Sequence, residues 1–157
     1  MYKVKKLKVY DFKGIFNVVK ILRECGKDMH QKYGLDHWDN IWIKTYLIVL
    51  ICMCKNQVYM VIDKRNNPIA TFQVKISGDK LFAEKLGVRP SFSGSGVGTF
   101  CLDYFESIAK DNKCNKVTFD VFEKSEHAIQ FYLNRGYNVC GTEDTLKYKE
   151  LKMEKEV

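Results

Sequence analysis

Val88-Arg89-Pro90-Ser91-Phe92-Ser93-Gly94-Ser95-Gly96-Val97-Gly98-Thr99 is the stretch on which the reading of this chain turns. The residues before it, 81–88, read as a strand. The residues after it, 99–110, carry Leu102, Phe105, Ile108 and Ala109 at the spacing of an amphipathic helix. Between them lie three glycines at alternate positions, so a strand feeds a small-residue loop that opens directly into a helix. The first amides of a helix lack intrahelical partners and carry the positive end of the dipole. Glycine lets the backbone turn sharply and lets a phosphate approach without a Cβ in the way. The segment from Ser93 to Thr99 therefore has the makings of an anion cradle of main-chain amides, to which the Thr99 hydroxyl adds a further donor. On this feature alone an ordinary turn explains the glycines equally well. A P-loop is excluded, because no Lys-Ser/Thr pair follows them, and the spacing G-x-G-x-G is not the dinucleotide fingerprint.

Working outward, residues 2–9 read as a first strand. Asp11 is placed to cap a helix over 12–25 with Phe12, Ile15, Val19 and Leu22 on one side, ended by Gly26. Residues 27–40 are rich in aromatic, polar and histidine side chains, and a second helix covers 41–52. Strands at 58–63 and 69–77 flank the turn Lys64-Arg65-Asn66-Asn67-Pro68. The strand at 81–88 follows the turn Ser77-Gly78-Asp79. Beyond the glycine loop come a strand at 116–122, a helix at 126–134 capped by Ser125 and stopped at Gly136, and strands at 137–140 and 146–154. The order β-α-α-β-β-β-α-β-α-β-β makes a single α/β domain over residues 1–157 with a mixed sheet.

The composition, 46% apolar and 29% charged over 157 residues, is that of a soluble globular protein. The longest apolar run, Tyr46 to Cys54, is about half of the roughly 20 residues that cross a bilayer. The basic first eight residues have no apolar region behind them, so a secretory leader is not expected and a cytoplasmic location without a membrane partner is. The six cysteines (Cys25, Cys52, Cys54, Cys101, Cys114, Cys140) show no second close Cys or His pair to complete a zinc set, so no metal is expected and reduced, mostly buried thiols are. The net charge of +7 has two readings. Nucleic acid is one. The other is a set of lysines spread from Lys3, Lys5, Lys6 and Lys8 to Lys147, Lys149, Lys152 and Lys155, with a basic balance that also suits an anionic cofactor; this spread favours the second.

Two motifs at their proper separation narrow the reading further. Val88-x-Pro90 is followed by Ser93-x-x-Gly96-x-Gly98, and Ser125-x-x-Ala128-x-x-x-Tyr132 is followed by Gly136-Tyr137. Together they resemble the GNAT superfamily of coenzyme A-dependent N-acetyltransferases, whose corresponding signatures read V-x-P, Q/R-x-x-G-x-G/A and N-x-x-A-x-x-x-Y. The ending Leu151-Lys152-Met153-Glu154-Lys155 is similar to that family's last strand. The likeness covers residues 58–155 in motif and the first 57 in element order. It departs at Ser93, where the family usually has Gln or Arg, and at Ser125, where it often has Asn.

The resemblance implies a central mixed sheet of about six to seven strands flanked by about four helices. It implies acetyl-CoA as co-substrate and an amine of a small molecule or protein as acceptor, attacked directly, with pairing into a homodimer common. Carried over by position, the cofactor would meet Leu86, Gly87, Val88, Ser93, Gly94, Ser95, Gly96, Val97, Gly98, Thr99, Ser125 and Tyr132. Tyr132 matches the general acid for the leaving thiolate; read without the family, it is an aromatic core residue like Phe131. Glu84, four residues before Val88 on one strand, is the candidate base, and an ordinary exposed strand residue otherwise. Asp120, Glu123, His30 and His37 are weaker candidates. Tyr33, His37 and Trp38 are candidate acceptor lining, or equally an aromatic cluster packed on the sheet. A catalytically silent acyl-CoA-binding module is the alternative that Ser93 and Ser125 keep open.

Overall fold

The Asp11 carboxylate accepts the Gly14 amide at 2.9 Å and starts the longest helix of the chain. The structure, a computed structural model, describes residues 2–35 and 42–157. Its strands are β1 (Lys3–Lys6), β2 (Gln57–Ile62), β3 (Pro68–Ser77), β4 (Lys80–Val88), β5 (Lys116–Phe122), β6 (Asn138–Asp144) and β7 (Lys149–Glu156). Its helices are α1 (Phe12–Tyr33), α2 (Trp42–Lys55), α3 (Val97–Asp111) and α4 (Glu126–Asn134), with a 3-10 turn at Pro90–Phe92. The seven strands run in the order β1-β2-β3-β4-β5-β7-β6. β4 pairs parallel with β5, whereas β1–β2, β2–β3, β5–β7 and β6–β7 are antiparallel. This is the mixed α/β architecture expected from the element order.

The chain falls into two compact units: residues up to 75 with 85–103, and residues 76–84 with 104–157. In the first, α1, α2, β2 and the chain after β1 bury Leu7, Ile15, Val18, Val19, Leu22, Val49, Val58 and Met60 in one cluster. Each such side chain contributes about 1.5–3 kcal/mol by leaving water. In the second, Leu81, Phe105, Val117, Tyr137 and Met153 are buried. There β5 and β7 pair along their length, from Lys116↔Glu156 to Phe122↔Glu150.

Several expectations give way to local physics. Helix α1 does not end at Gly26; it continues to Tyr33 and ends at Gly34, whose φ of 66° is the left-handed cap and whose amide reaches the His30 carbonyl at 2.8 Å. A glycine inside a helix costs about 1 kcal/mol relative to alanine, and here Gly26 is buried in the helix rather than exposed at its end. Phe12, expected inward, faces solvent, while Ile15, Val19 and Leu22 are buried. The last strand begins at Lys149, not at 146. Thr145 breaks the chain first: its hydroxyl accepts from the Lys147 and Tyr148 amides and donates to the Tyr148 carbonyl, which leaves Leu146 fully exposed.

Consecutive residues of α1 hold the end of β4. Arg89 Nε and Nη2 donate to the two Glu24 carboxylate oxygens at 2.6 and 2.7 Å, and its Nη1 reaches the Pro68 carbonyl at 3.2 Å. The fork geometry makes this a bidentate, charge-assisted pair. One residue on, the Cys25 thiol donates to the Val88 carbonyl at 3.3 Å.

Glu24→Gln keeps the size of the side chain and removes its charge; we expect a loss of about 1–2 kcal/mol of stability, read as a lower midpoint in urea. Asp11→Ala is expected to cost about 1 kcal/mol through loss of the cap. Lys5, at 2.5 Å, and the Gly14 amide hold the Asp11 carboxyl below its ordinary value. A lowered folded-state pKa gives stability that is present above the unfolded value of 3.8 and fades as pH falls through the folded one. The gap between wild type and Asp11→Ala in urea melts should therefore be full at pH 6 and narrow below about pH 4.

Candidate cofactor and catalytic site

The loop after β4 is built from turn chemistry. The Arg89 amide bonds the Ile69 carbonyl, and the 3-10 turn then passes the chain to Ser93, whose amide reaches the Pro90 carbonyl at 3.1 Å. Ser95 closes back on Phe92 twice, with its amide at 3.3 Å and its hydroxyl at 2.6 Å from the same carbonyl. The Tyr2 hydroxyl donates to the Ser95 carbonyl at 2.9 Å and fixes the loop from the other side. Gly94 and Gly96 have φ of 74° and 83°, a region that favours glycine, and a Cβ built on either meets nothing within 4 Å. Both are exposed, so the main chain here is approachable.

Helix α3 begins at Val97, two residues earlier than the sequence pattern suggests. Its first main-chain bond runs from the Phe100 amide to the Gly96 carbonyl at 3.0 Å. The amides of Gly96, Val97, Gly98 and Thr99 thus have no intrahelical acceptor. No acidic residue stands in the first turn to offset the dipole. Val97 is buried and anchors the turn, while Ser93, Gly94, Ser95 and Gly96 face solvent and Gly98 and Thr99 are half-buried. Accessible amides of this kind beside two left-handed glycines could hold an anion through main-chain groups.

The strand that leads into this loop is irregular. The ladder between β4 and β5 covers Lys80, Leu81 and Phe82, opposite Lys116, Val117 and Thr118, although β4 itself continues to Val88. Lys85 has a φ of 50°, a left-handed conformation rare for a side-chain-bearing residue inside a strand. This corrects one step of the sequence argument. Counting Glu84 and Val88 onto one face assumes unbroken alternation, and Lys85 breaks it. Glu84 is half-buried, as are Leu86 and Val88. Gly87 is buried where α1 crosses: a Cβ there would lie 3.2 Å from Cys25 Sγ and 3.6 Å from a Leu22 methyl. Burial, helped by Asp28 and Glu24, pushes the Cys25 thiol up to about 12, so it stays a neutral donor to Val88.

In the second unit, Tyr132 projects from α4 into an aromatic cluster. Its ring lies 4.5 Å from that of Phe119, 5.3 Å from Phe131 and 6.5 Å from Tyr137. The cluster holds a half-buried aromatic ring, as the aromatic-core reading of Tyr132 expects. Ser125 occupies the N-cap position of α4, yet its hydroxyl makes no capping bond, contrary to expectation. Main-chain bonds hold the helix start instead, from the Ser125 amide to Phe122 and from Ile129 to Ser125, and Ser125 is buried.

One group escaped the sequence. Glu150, on β7 opposite Phe122, is half-buried; burial, and then Asp120 and Glu143, raise its carboxyl above the ordinary value. Perturbed carboxyls of this kind gather at functional sites. The signal was the β5–β7 register, which no local pattern reveals. Asp120 itself is exposed and lies 3.5 Å from Lys152.

Tyr33 lies on the last turn of α1, at the surface, rather than in a loop; His37 and Trp38 lie outside the described residues. Among the described residues no group of three or more His, Cys, Asp or Glu side chains could hold a metal. All six cysteines are free, but burial is less general than expected: Cys101 and Cys114 are buried, Cys25 and Cys52 partly so, and Cys54 and Cys140 exposed. No helix among the described residues is long and apolar enough to cross a membrane.

Comparison with known proteins agrees with this architecture. The chain superposes on the PaiA N-acetyltransferase from Thermoplasma acidophilum, solved with coenzyme A, with a TM-score of 0.81, 19% identity, and coverage of 100% of this chain and 99% of that one. Against the ribosomal-protein-S18-alanine N-acetyltransferase from Escherichia coli the TM-score is 0.76 at 11% identity, over 99% of this chain and 94% of that one. Against the IAA acetyltransferase from Bacillus cereus it is 0.70 at 10% identity, over the whole of both chains. These likenesses are of fold. No curated sequence matches. The profile of the acetyltransferase (GNAT) family matches residues 17–137, more than half of the chain. With the strand, glycine loop and helix start inside that span, the chain belongs to the acetyltransferase (GNAT) family.

Proposed function

We propose that this protein transfers an acetyl group from acetyl-CoA to an amine of a small molecule or a protein. The observation that carries the reading is the set of amides without helical acceptors at the exposed Gly96 and the half-buried Gly98 and Thr99, beside the left-handed Gly94 and Gly96. Such a cradle suits a pyrophosphate, and family membership supports an acyl-CoA in that role. The net charge of +7 draws an anionic co-substrate in.

On this reading Ser93 to Thr99 hold the pyrophosphate, and main-chain groups of Leu86, Gly87 and Val88 hold the pantetheine arm. An amide at Gly87 or Val88 polarises the thioester carbonyl, which favours the negative oxygen that forms on attack. The amine nitrogen bonds to the carbonyl carbon while Glu84 takes its proton. The carbon–sulfur bond then breaks, and the leaving thiolate takes the phenol proton of Tyr132. The proton on Glu84 returns to the phenolate through solvent, and an amide and free coenzyme A leave.

Titration with acetyl-CoA should raise the melting temperature saturably, by about 5–10 °C at a hundredfold excess over Kd. Gly96→Glu should abolish the rise, because the new carboxylate stands where the phosphates bind. No rise at millimolar acetyl-CoA would remove the cradle from consideration. Once an amine that releases free thiol is found, Tyr132→Phe should lower kcat about a hundredfold with the acetyl-CoA melting shift intact. Unchanged turnover would disprove the acid role. A wild type that is stabilised by acetyl-CoA yet turns over no amine in a broad panel would be a silent cofactor-binding module.

A further inference from the structure

Helix α2 is apolar on two opposite faces. Thr45 and Val49 point to the core and are buried. On the other side Ile43, Leu47 and Ile51 recur every four residues as one stripe, 73%, 51% and 58% exposed, with Cys54 continuing it. A helix that is apolar all round is normally covered on all sides. Exposed aromatic surface also lies at the start of α2, where Trp42 stacks on Phe16 of α1 at 5.2 Å, with Arg23 4.7 Å over the same indole.

The unpaired charge on these elements is basic: the two carboxylates of α1, Glu24 and Asp28, are taken up by Arg89 and Lys32. From Phe12 to Arg23, and through the whole of α2, there is no Asp or Glu. The same segments carry Lys13, Lys20, Arg23, Lys44 and Lys55, and the four lysines are exposed. A second copy of the chain is a poor cover for such a face, because a two-fold pairing sets its lysines among images of themselves, with no carboxylate on α2 and those of α1 already held by Lys32 and Arg89. An anionic, apolar-cored surface matches both properties at once. Protruding aliphatic side chains enter the acyl boundary, an aromatic residue sits at headgroup depth, and lysines meet the lipid charge. The 14 residues of α2 are too short to span a bilayer, but lying on one asks for a stripe rather than a span.

We propose that the α2 stripe Ile43–Leu47–Ile51, with Phe16, Trp42 and the surrounding lysines, is a docking face for an anionic lipid surface. It stands apart from the acetyl transfer and does not depend on it.

The test is co-sedimentation of the full chain with vesicles of phosphatidylcholine alone and of phosphatidylcholine with an equal part of phosphatidylglycerol. Saturable binding to the mixed vesicles is expected, at least about tenfold tighter than to phosphatidylcholine and weakened by salt. The triple variant Ile43→Ser, Leu47→Ser, Ile51→Ser should lose about tenfold or more in binding with an unchanged melt, since it leaves every charge in place and alters only exposed residues. Undiminished binding by that variant would reduce the effect to adsorption of a basic protein and overturn the proposal. So would no binding at all, or binding to polyglutamate without binding to vesicles, which would point to an acidic protein. A dimer in solution that the triple variant dissociates, without vesicle binding, would assign the face to a second copy.

Discussion

The grip of α1 on the end of β4 is the constraint on which the first unit depends. A strand that breaks its own alternation at Lys85 has lost part of the regularity that normally fixes direction. Two successive helix residues restore it from outside: Glu24 takes the Arg89 guanidinium with both oxygens, and Cys25 takes the Val88 carbonyl. Arg89 then ties the same point to β3 through the Pro68 carbonyl, and its amide does so through Ile69. The glycine loop therefore leaves from a fixed origin. Gly87 belongs to the same arrangement, since the approach of Cys25 and Leu22 leaves no comfortable space for a Cβ.

Much of this was legible in the sequence because it is local. The strand, glycine loop and helix start are written in consecutive residues, and β5 and α4 run over 116–122 and 126–134, the spans their periodicity gives. The Asp11 cap announces itself by residue type. What was not legible is what depends on distant partners. Gly26 reads as a stop until the left-handed Gly34 is seen to be the true end of α1. Ser125 reads as a cap, but main-chain bonds already hold its helix.

The candidate site divides in the same way. The proposed anion cradle is a matter of backbone and was visible as a glycine pattern before an atom was placed. The candidate catalytic side chains depend on register and tertiary surroundings. Even spacing could not assign Glu84 a face across Lys85, and Glu150 stood out only once β7 was aligned against β5. Tyr132 lies between the two cases: its position in a motif marked it, and Phe119 supplies the orientation that no motif states.

The raised pKa of Cys25 has a chemical consequence beyond its hydrogen bond. Thioesters exchange readily with thiolates, and a sulfur beside an acyl-thioester channel is ordinarily a rival acceptor. Cys25 remains a thiol until about pH 12, and its proton is committed to the Val88 carbonyl. A thioester laid along Leu86 to Val88 would have a sulfur for a neighbour but no sulfur nucleophile. On the proposed function, the chain would thus keep a soft, close-fitting atom against Gly87 without becoming its own substrate.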